Sequence, residues 1–218
     1  MADHPFKREL APGQACSVRI FDCETGRDRE ILRATDILLE APNWHPAGHL
    51  ILNGDGILWR LDIASGSLFE MPFPGLPFLN NDHVLDPSSE AIYVSGYDWH
   101  IHRVNLSDGS TVQVTYDDPA RPMRHFLHGV SPDGGEIAFV GIEPRGDSPW
   151  GAANIFTMPT SEETVRAITT GDRHADGCEY SPDGKWLYLN TELFSDRAGH
   201  AQIARGLPTI DSKAGASE

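Results

Sequence analysis

The chain has 218 residues, 39% of them hydrophobic and 22% charged, with 21 glycines and 16 prolines, a mixture that suits a turn-rich globular protein of one large or two small units. Its net charge of -15 sets a repulsive field before any phosphate backbone or anionic lipid, which excludes nucleic acid and membrane surfaces as favoured partners. The opening MADHPFKREL carries no apolar run behind its charges, and no later segment approaches the roughly 20 apolar residues of a bilayer span, so a cytoplasmic protein is expected.

In chain order, residues 1–14 read as an N-terminal extension and SVRIFDCETG (17–26) as a strand closing in a polar turn, followed by a further strand, REILRA. NWHPAGHLIL then places Pro46 between two strands, and GILWRLDIASG (56–66) and SLFEMP continue the pattern. The same order returns as HVLDPSSEAIYV around Pro87, WHIHRVNLSDG (99–109) and TVQVTY. It returns again as HGVSPDGGEIAFV around Pro132, ANIFTMPTSE (153–162) and TVRAIT, and lastly as CEYSPDGKWLYL around Pro182 and AQIARGLPT (201–209). The prolines are 41, 45 and 50 residues apart, and Gly26, Gly66 and Gly109 repeat the period independently at 40 and 43. Proline pre-sets the first turn position and glycine accepts the left-handed one, so each copy folds back as a tight hairpin.

The strands after the prolines, HLILN, AIYVSG, EIAFVG and WLYLN, are largely apolar and need cover on both faces. Four antiparallel strands in some 40–50 residues, repeated, predict an all-β fold: a β-propeller of four-stranded blades, about four to five of them, over residues 15–206. A β-sandwich has the same strand spacing but no reason to repeat a Pro-Asp-Gly hairpin at a fixed distance from a second motif. The strands count as two of one blade, three whole blades and three of another. The N-terminal strands therefore either complete the last blade or leave an open arc prone to oligomerise. Residues 207–218, small and polar, are expected to form a disordered tail.

The SPDG turns at Pro132 and Pro182, each followed by an apolar strand, resemble the repeats of TolB-like propellers and of the propeller domains preceding prolyl-oligopeptidase-type hydrolases. The resemblance implies a ring of blades that binds proteins or small ligands on one face or in its axial channel. Family members commonly have six blades, about 250 residues or more at this period. Periplasmic TolB carries a signal peptide and an α/β domain ahead of its propeller; neither is seen here, so a stand-alone relative is expected.

Equivalent positions on successive blades meet around the axis. Glu40, Asn81, Asp82, His83, His125, His128, His174 and Asp176, near the turn prolines on the upstream side, are therefore candidate ligand-binding residues at one channel mouth. Such imidazoles and carboxylates could hold a divalent metal or a polar ligand such as a carbohydrate, or could simply satisfy backbone groups and water. Oligogalacturonate lyases of this architecture place metal-binding histidines in the channel, which keeps an enzyme reading open; no cofactor is otherwise called for. The longer loops EPRGDSPWGAAN (143–154) and TELFSDRAGH (191–200) offer Arg145, Asp147, Trp150, Phe194, Asp196 and Arg197 as a candidate protein-binding patch. YDWHIHR (97–103) reads as an alternating third strand, and Trp44, Trp59, Trp186, Phe139 and Tyr188 as packing between blades. Cys16, Cys23 and Cys178 lack metal or redox spacing and read as reduced, packed thiols. No G-x-S-x-G elbow, G-x-G-x-x-G or P-loop is present. The leading expectation is thus a non-catalytic binding scaffold.

Overall fold

A computed structural model describes residues 7–208, in which all regular structure is strand. β1 (Cys16–Phe21) and β2 (Asp28–Ala34) form a two-stranded sheet. The first complete blade holds β3 (Glu40–His45), β4 (His49–Gly54), β5 (Ile57–Asp62) and β6 (Leu68–Met71). The second holds β7 (Leu79–Leu85), β8 (Ala91–Gly96), β9 (Ile101–Asn105) and β10 (Thr111–Gln113). The third holds β11 (Arg124–Val130), β12 (Glu136–Ile142), β13 (Ala153–Pro159) and β14 (Arg166–Ala167). β15 (Ala175–Tyr180), β16 (Leu187–Thr191) and β17 (Gln202–Gly206) make a three-stranded fourth blade. All pair antiparallel with their sequence neighbours, so the fold is the expected β-propeller, with the strands of each repeat in one radial sheet.

The hairpins show why the repeat is written as it is. In SPDG the Ser131 hydroxyl donates to Asp133 Oδ1 at 2.6 Å and accepts the Glu136 N–H at 2.9 Å, while Gly134, at φ +71°, donates its N–H to the Ser131 carbonyl. Ser181, Asp183, Gly184 and Trp186 repeat this arrangement. DPSS reverses its polarity: Asp86 Oδ1 accepts from the Ser88 hydroxyl and N–H, and Ser89 takes the left-handed position at φ +62°. In HPAG the His45 Nδ1 accepts the Ala47 N–H at 3.1 Å. One backbone turn is thus held by three side-chain solutions, each presenting an acceptor to the turn's N–H groups.

The core lies between blades. Tyr93 and Ile101 of the second blade meet Leu127, Ile137, Phe139 and Phe156 of the third, and Ala138, Val140 and Ile155 on the third blade's other face meet Cys178, Leu187 and Leu189 of the fourth. A half-buried amide and a buried hydroxyl fix the spacing: Asn43 donates to the His83 carbonyl and accepts the Leu85 N–H, both at 2.9 Å, and Ser95 Oγ accepts the Leu127 N–H at 2.8 Å. Gly129 lets β11 approach β15, because a Cβ there would lie 3.0 Å from the Cys178 carbonyl oxygen.

Several expectations need correction. β1 and β2 pair only with each other and do not complete the fourth blade, so among the described residues the blades form an open arc. Two outer and three inner strands overlap by one position, too many for a single four-stranded blade. Residues 97–100 form a turn instead of the start of the third strand, which begins at Ile101, and the fourth strands β10 and β14 are shorter than expected. Trp44 and Tyr188 are exposed, whereas Phe139 is fully buried as packing requires. Cys178 is buried and its thiol pushed up by desolvation, but Cys23 is an exposed thiol. Of the expected tail, residues 209–218 lie outside the described residues.

Candidate functional site

Each inner strand, β3, β7, β11 and β15, is interrupted by a register shift against its partner, between Glu40 and Asn43, Leu79 and His83, Leu127 and Gly129, and Asp176 and Glu179 respectively. A bulge bends the strand and re-aims its side chains. The left-handed Ala41 (φ 50°) and Gly177 (φ 59°) mark two of them. Because the four bulges fall at the same height above their Pro turns, they deliver polar groups of successive blades to one end of the axis.

The result is a mixed carboxylate and imidazole cluster. His128 Nε2 lies 3.2 Å from Asp176 Oδ1, joining the third blade to the fourth. Burial pulls the His128 pKa down, but the Asp176 hydrogen bond and the charges of Asp82, Asp176 and Glu179 outweigh it and hold the ring above the usual histidine value. The same bond, with the charge of His128, keeps Asp176 below the ordinary carboxylate range. Asp82 is pushed up, by desolvation first and then by the charge of Asp176 against the opposing pull of His128; its Oδ2 accepts from Asn80 Nδ2 at 2.9 Å. Glu40 pairs with Arg8 at 3.0 Å beside Lys7 and Asp55, which are 3.2 Å apart. Arg8, Glu40, Asn81 and Tyr97 line the same small recess.

Of the eight candidates the structure brings Glu40, Asn81, Asp82, His128 and Asp176 to one mouth, sets His174 at its exposed margin within electrostatic reach of Asp176, and leaves His83 and His125 elsewhere. His83 is 5% exposed, wedged between the Asn81 carbonyl at 3.2 Å and the Ile51 carbonyl at 3.4 Å, and burial depresses its pKa. His125 is 4% exposed, with Nδ1 on the Trp99 carbonyl at 2.9 Å, and faces a cavity between the second and third blades; burial brings its pKa to about 4. Strand alternation is the reason, since His83 follows Asp82 and points to the opposite face. His174 is exposed and braces the neighbouring loops, its Nδ1 accepting the Ala153 N–H and its carbonyl the Glu192 N–H.

Loops joining second to third strands lie on this same face, because an antiparallel blade returns its second strand to the end where the first began. In the loop after β12, Arg145 pairs with Asp172 at 3.0 Å, Asp147 is exposed, and Trp150 is 46% exposed. Its anchor is not part of the repeat: the Arg124 guanidinium sits 4.6 Å from the Trp99 ring and 4.1 Å from Trp150, whose rings meet edge-on at 5.6 Å. Phe78, Tyr97 and Trp99 extend this into an aromatic line, with Trp99 held at φ +69°, an uncommon conformation for a bulky residue. Only reading 97–100 as a turn would have exposed it. In the loop after β16, Phe194 is 70% exposed and Asp196 and Arg197 follow it; Glu192 Oε1 ties the loop by accepting the Gly199 N–H. Among the described residues no hydrogen bond or ion pair links the two loops.

Among the described residues no three His, Cys, Asp or Glu side chains are grouped to hold a metal ion. The cluster's capacities are charge and hydrogen bonding: carboxylates of three blades and one imidazole bonded to Asp176, beside aromatic faces.

No family model matches the chain. An uncharacterized protein of Agrobacterium fabrum is 32% identical over 195 residues, 87% of this chain and 61% of the relative. A solved structure from Agrobacterium tumefaciens, assigned provisionally as TolB, superposes with a TM-score of 0.74 at 31% identity, covering 88% of this chain and 66% of that one. TolB from Acinetobacter baumannii gives 0.62 at 17% identity, covering 88% and 46%. An oligogalacturonate lyase from Vibrio parahaemolyticus gives 0.62 at 11%, covering 92% and 60%. The last two likenesses concern the fold alone. The chain spans less than two thirds of the length of the relatives it matches.

Proposed function

From the premise that this chain is a TolB-like β-propeller, we propose that it works as a non-catalytic cytoplasmic scaffold binding a protein partner, or a small polar ligand, on the face that carries the longer loops. The observation that supports this reading is the convergence of Asp82, His128 and Asp176 from three successive blades at the mouth, beside projecting Trp150 and Phe194. Exposed aromatics next to a polar, partly desolvated centre are the composition of a binding hot spot. The free cysteines fit a reducing compartment. Affinity purification with wild type, a Trp150→Ala/Phe194→Ala variant and a Lys185→Ala variant on the opposite, Pro-turn face tests it. A partner kept by wild type and Lys185→Ala but lost by the loop variant supports the proposal; one lost equally from both refutes it.

A second reading, a metal-dependent carbohydrate-active enzyme, rests on the His128 and Asp176 pair. Elemental analysis of the purified protein separates the two. Stoichiometric metal that disappears on His128→Ala would overturn the scaffold reading.

A further inference from the structure

The displacement of His125 from the channel mouth puts it in a different site. After β10 the chain runs over the boundary between the second and third blades and borders an open cavity of about 410 Å³, within the size range of small-molecule sites. Asp117, Asp118 and Glu163 stand on its wall, with Val114, Met158 and the His125 ring. A groove of about 340 Å³ shares Val114, Tyr116, Met158 and Glu163 with it and adds Glu162, so the two run on into each other.

Three features define what fits. The free charge is mainly negative: Arg121 on the cavity wall is committed to Glu143 Oε1 at 2.6 Å and lies over the Phe156 ring at 4.6 Å, and Arg103 in the adjoining groove lies over the Tyr93 ring at 5.9 Å. The floor is apolar. Third, the buried histidines carry unused nitrogen: with Nδ1–H of His125 given to the Trp99 carbonyl, its Nε2 is a lone-pair acceptor without a hydrogen-bond partner among the described residues. His100, stacked 5.7 Å from His125, has a buried Nδ1 without a partner and an Nε2 3.9 Å from Asp117 Oδ1. Of the two rings only His125 is on the cavity wall, so a ligand there reaches the ring edge that the Trp99 bond leaves free, while His100 stands behind it.

We propose that this interblade cavity binds a linear aliphatic amine carrying two or more ammonium groups. The methylene stem covers Val114 and Met158, the ammonium groups pair with Asp117, Asp118 and Glu163, and an ammonium N–H is donated to His125 Nε2. Anions are repelled by the carboxylates. A hydrated divalent ion has no use for the apolar floor and finds no three-ligand group among the described residues. The elongated shape favours a chain over a compact cation.

Calorimetric titration of the full chain with spermidine at near-physiological salt tests this. The site variant is Asp117→Asn with Glu163→Gln; the control, Glu70→Gln with Glu90→Gln, removes the same charge at exposed positions elsewhere. These changes keep side-chain shape, and unchanged circular dichroism and melting confirm the fold. Saturable 1:1 binding should weaken about tenfold for each carboxylate neutralised in the site variant. The control should weaken it less than about threefold, the share owed to net charge. Equal weakening in both variants, equal competition by magnesium ion at matched charge, or no saturable binding would each overturn the proposal.

Discussion

Replacing Phe139 by Ala tests whether packing between blades holds the arc together. Phe139 is fully buried between the second and third blades, its ring 5.8 Å from Phe156 and 5.4 Å from His125. Removing a phenyl group from such a site loses its transfer free energy and leaves a cavity, together about 3–5 kcal/mol. Against a total of about 5–15 kcal/mol that is a large fraction. At about 2–4 °C per kcal/mol for a chain of this size, the midpoint should fall by about 6–20 °C. Urea unfolding followed by tryptophan fluorescence measures it, with Phe194→Ala as the exposed control expected to change stability by no more than about 0.5 kcal/mol. A loss below about 1 kcal/mol at Phe139, or an equal loss at Phe194, would refute the assignment of the core to blade interfaces. A split into two transitions would mean that this interface couples the blades and that the cavity has uncoupled them.

His125 is held neutral in the fold, so its unfolded form binds the proton more readily. Its contribution to stability is full above the unfolded pKa near 6.5 and is lost as pH falls toward the folded value of about 4, about 3 kcal/mol in all; His125→Gln should flatten that acid limb in urea titrations from pH 7 to 4. His128 runs the other way, its raised pKa giving stability that is full below the unfolded value and lost as pH rises through the folded one. In Asp176→Asn, NMR titration should find the His128 pKa lower than in wild type. In the DPSS turn, Asp86→Ser and Ser88→Asp should each cost about 1 kcal/mol alone and largely compensate when combined, while Ser89→Gly should stabilise by about 0.5–1 kcal/mol; denaturation midpoints of the variants decide both.

The repeat was legible because its turns are chemical: Pro46, Pro87, Pro132 and Pro182 and the glycines at 26, 66 and 109 each sit where the backbone demands them. The mouth was half legible. Its residues were found by equivalence between blades, but equivalence fixes height along the strand and not which way a side chain points, and a bulge alters that direction by one residue. Hence Asp82 and His128 face the mouth while His83 and His125 turn inward. Arg124 was missed because its partners, Trp99 and Trp150, come from a turn and a loop 51 residues apart, and no periodicity connects them.

The two outermost described sheets carry different outward faces. At one end Arg19 bridges Asp28 at 2.9 Å and Glu30 at 3.3 Å, with Ser17 on Glu30 and Arg33 nearby, so the outer face of β1 and β2 is a charged network around a lone exposed Phe21. At the other, Tyr188 and Asn190 occupy positions equivalent to Ala138 and Val140, the residues that the third blade hides beneath the fourth. Arg205 lies opposite Tyr188 and places its guanidinium 4.2 Å over Trp186. Polar groups thus cover most of the first face, while the second mixes them with apolar side chains. Among the described residues β17 has no further strand beside it, and Ile203, cross-strand from Asn190, is 80% exposed on the same face as Tyr188, so association through this sheet, where it occurs, should weaken in an Ile203→Lys variant.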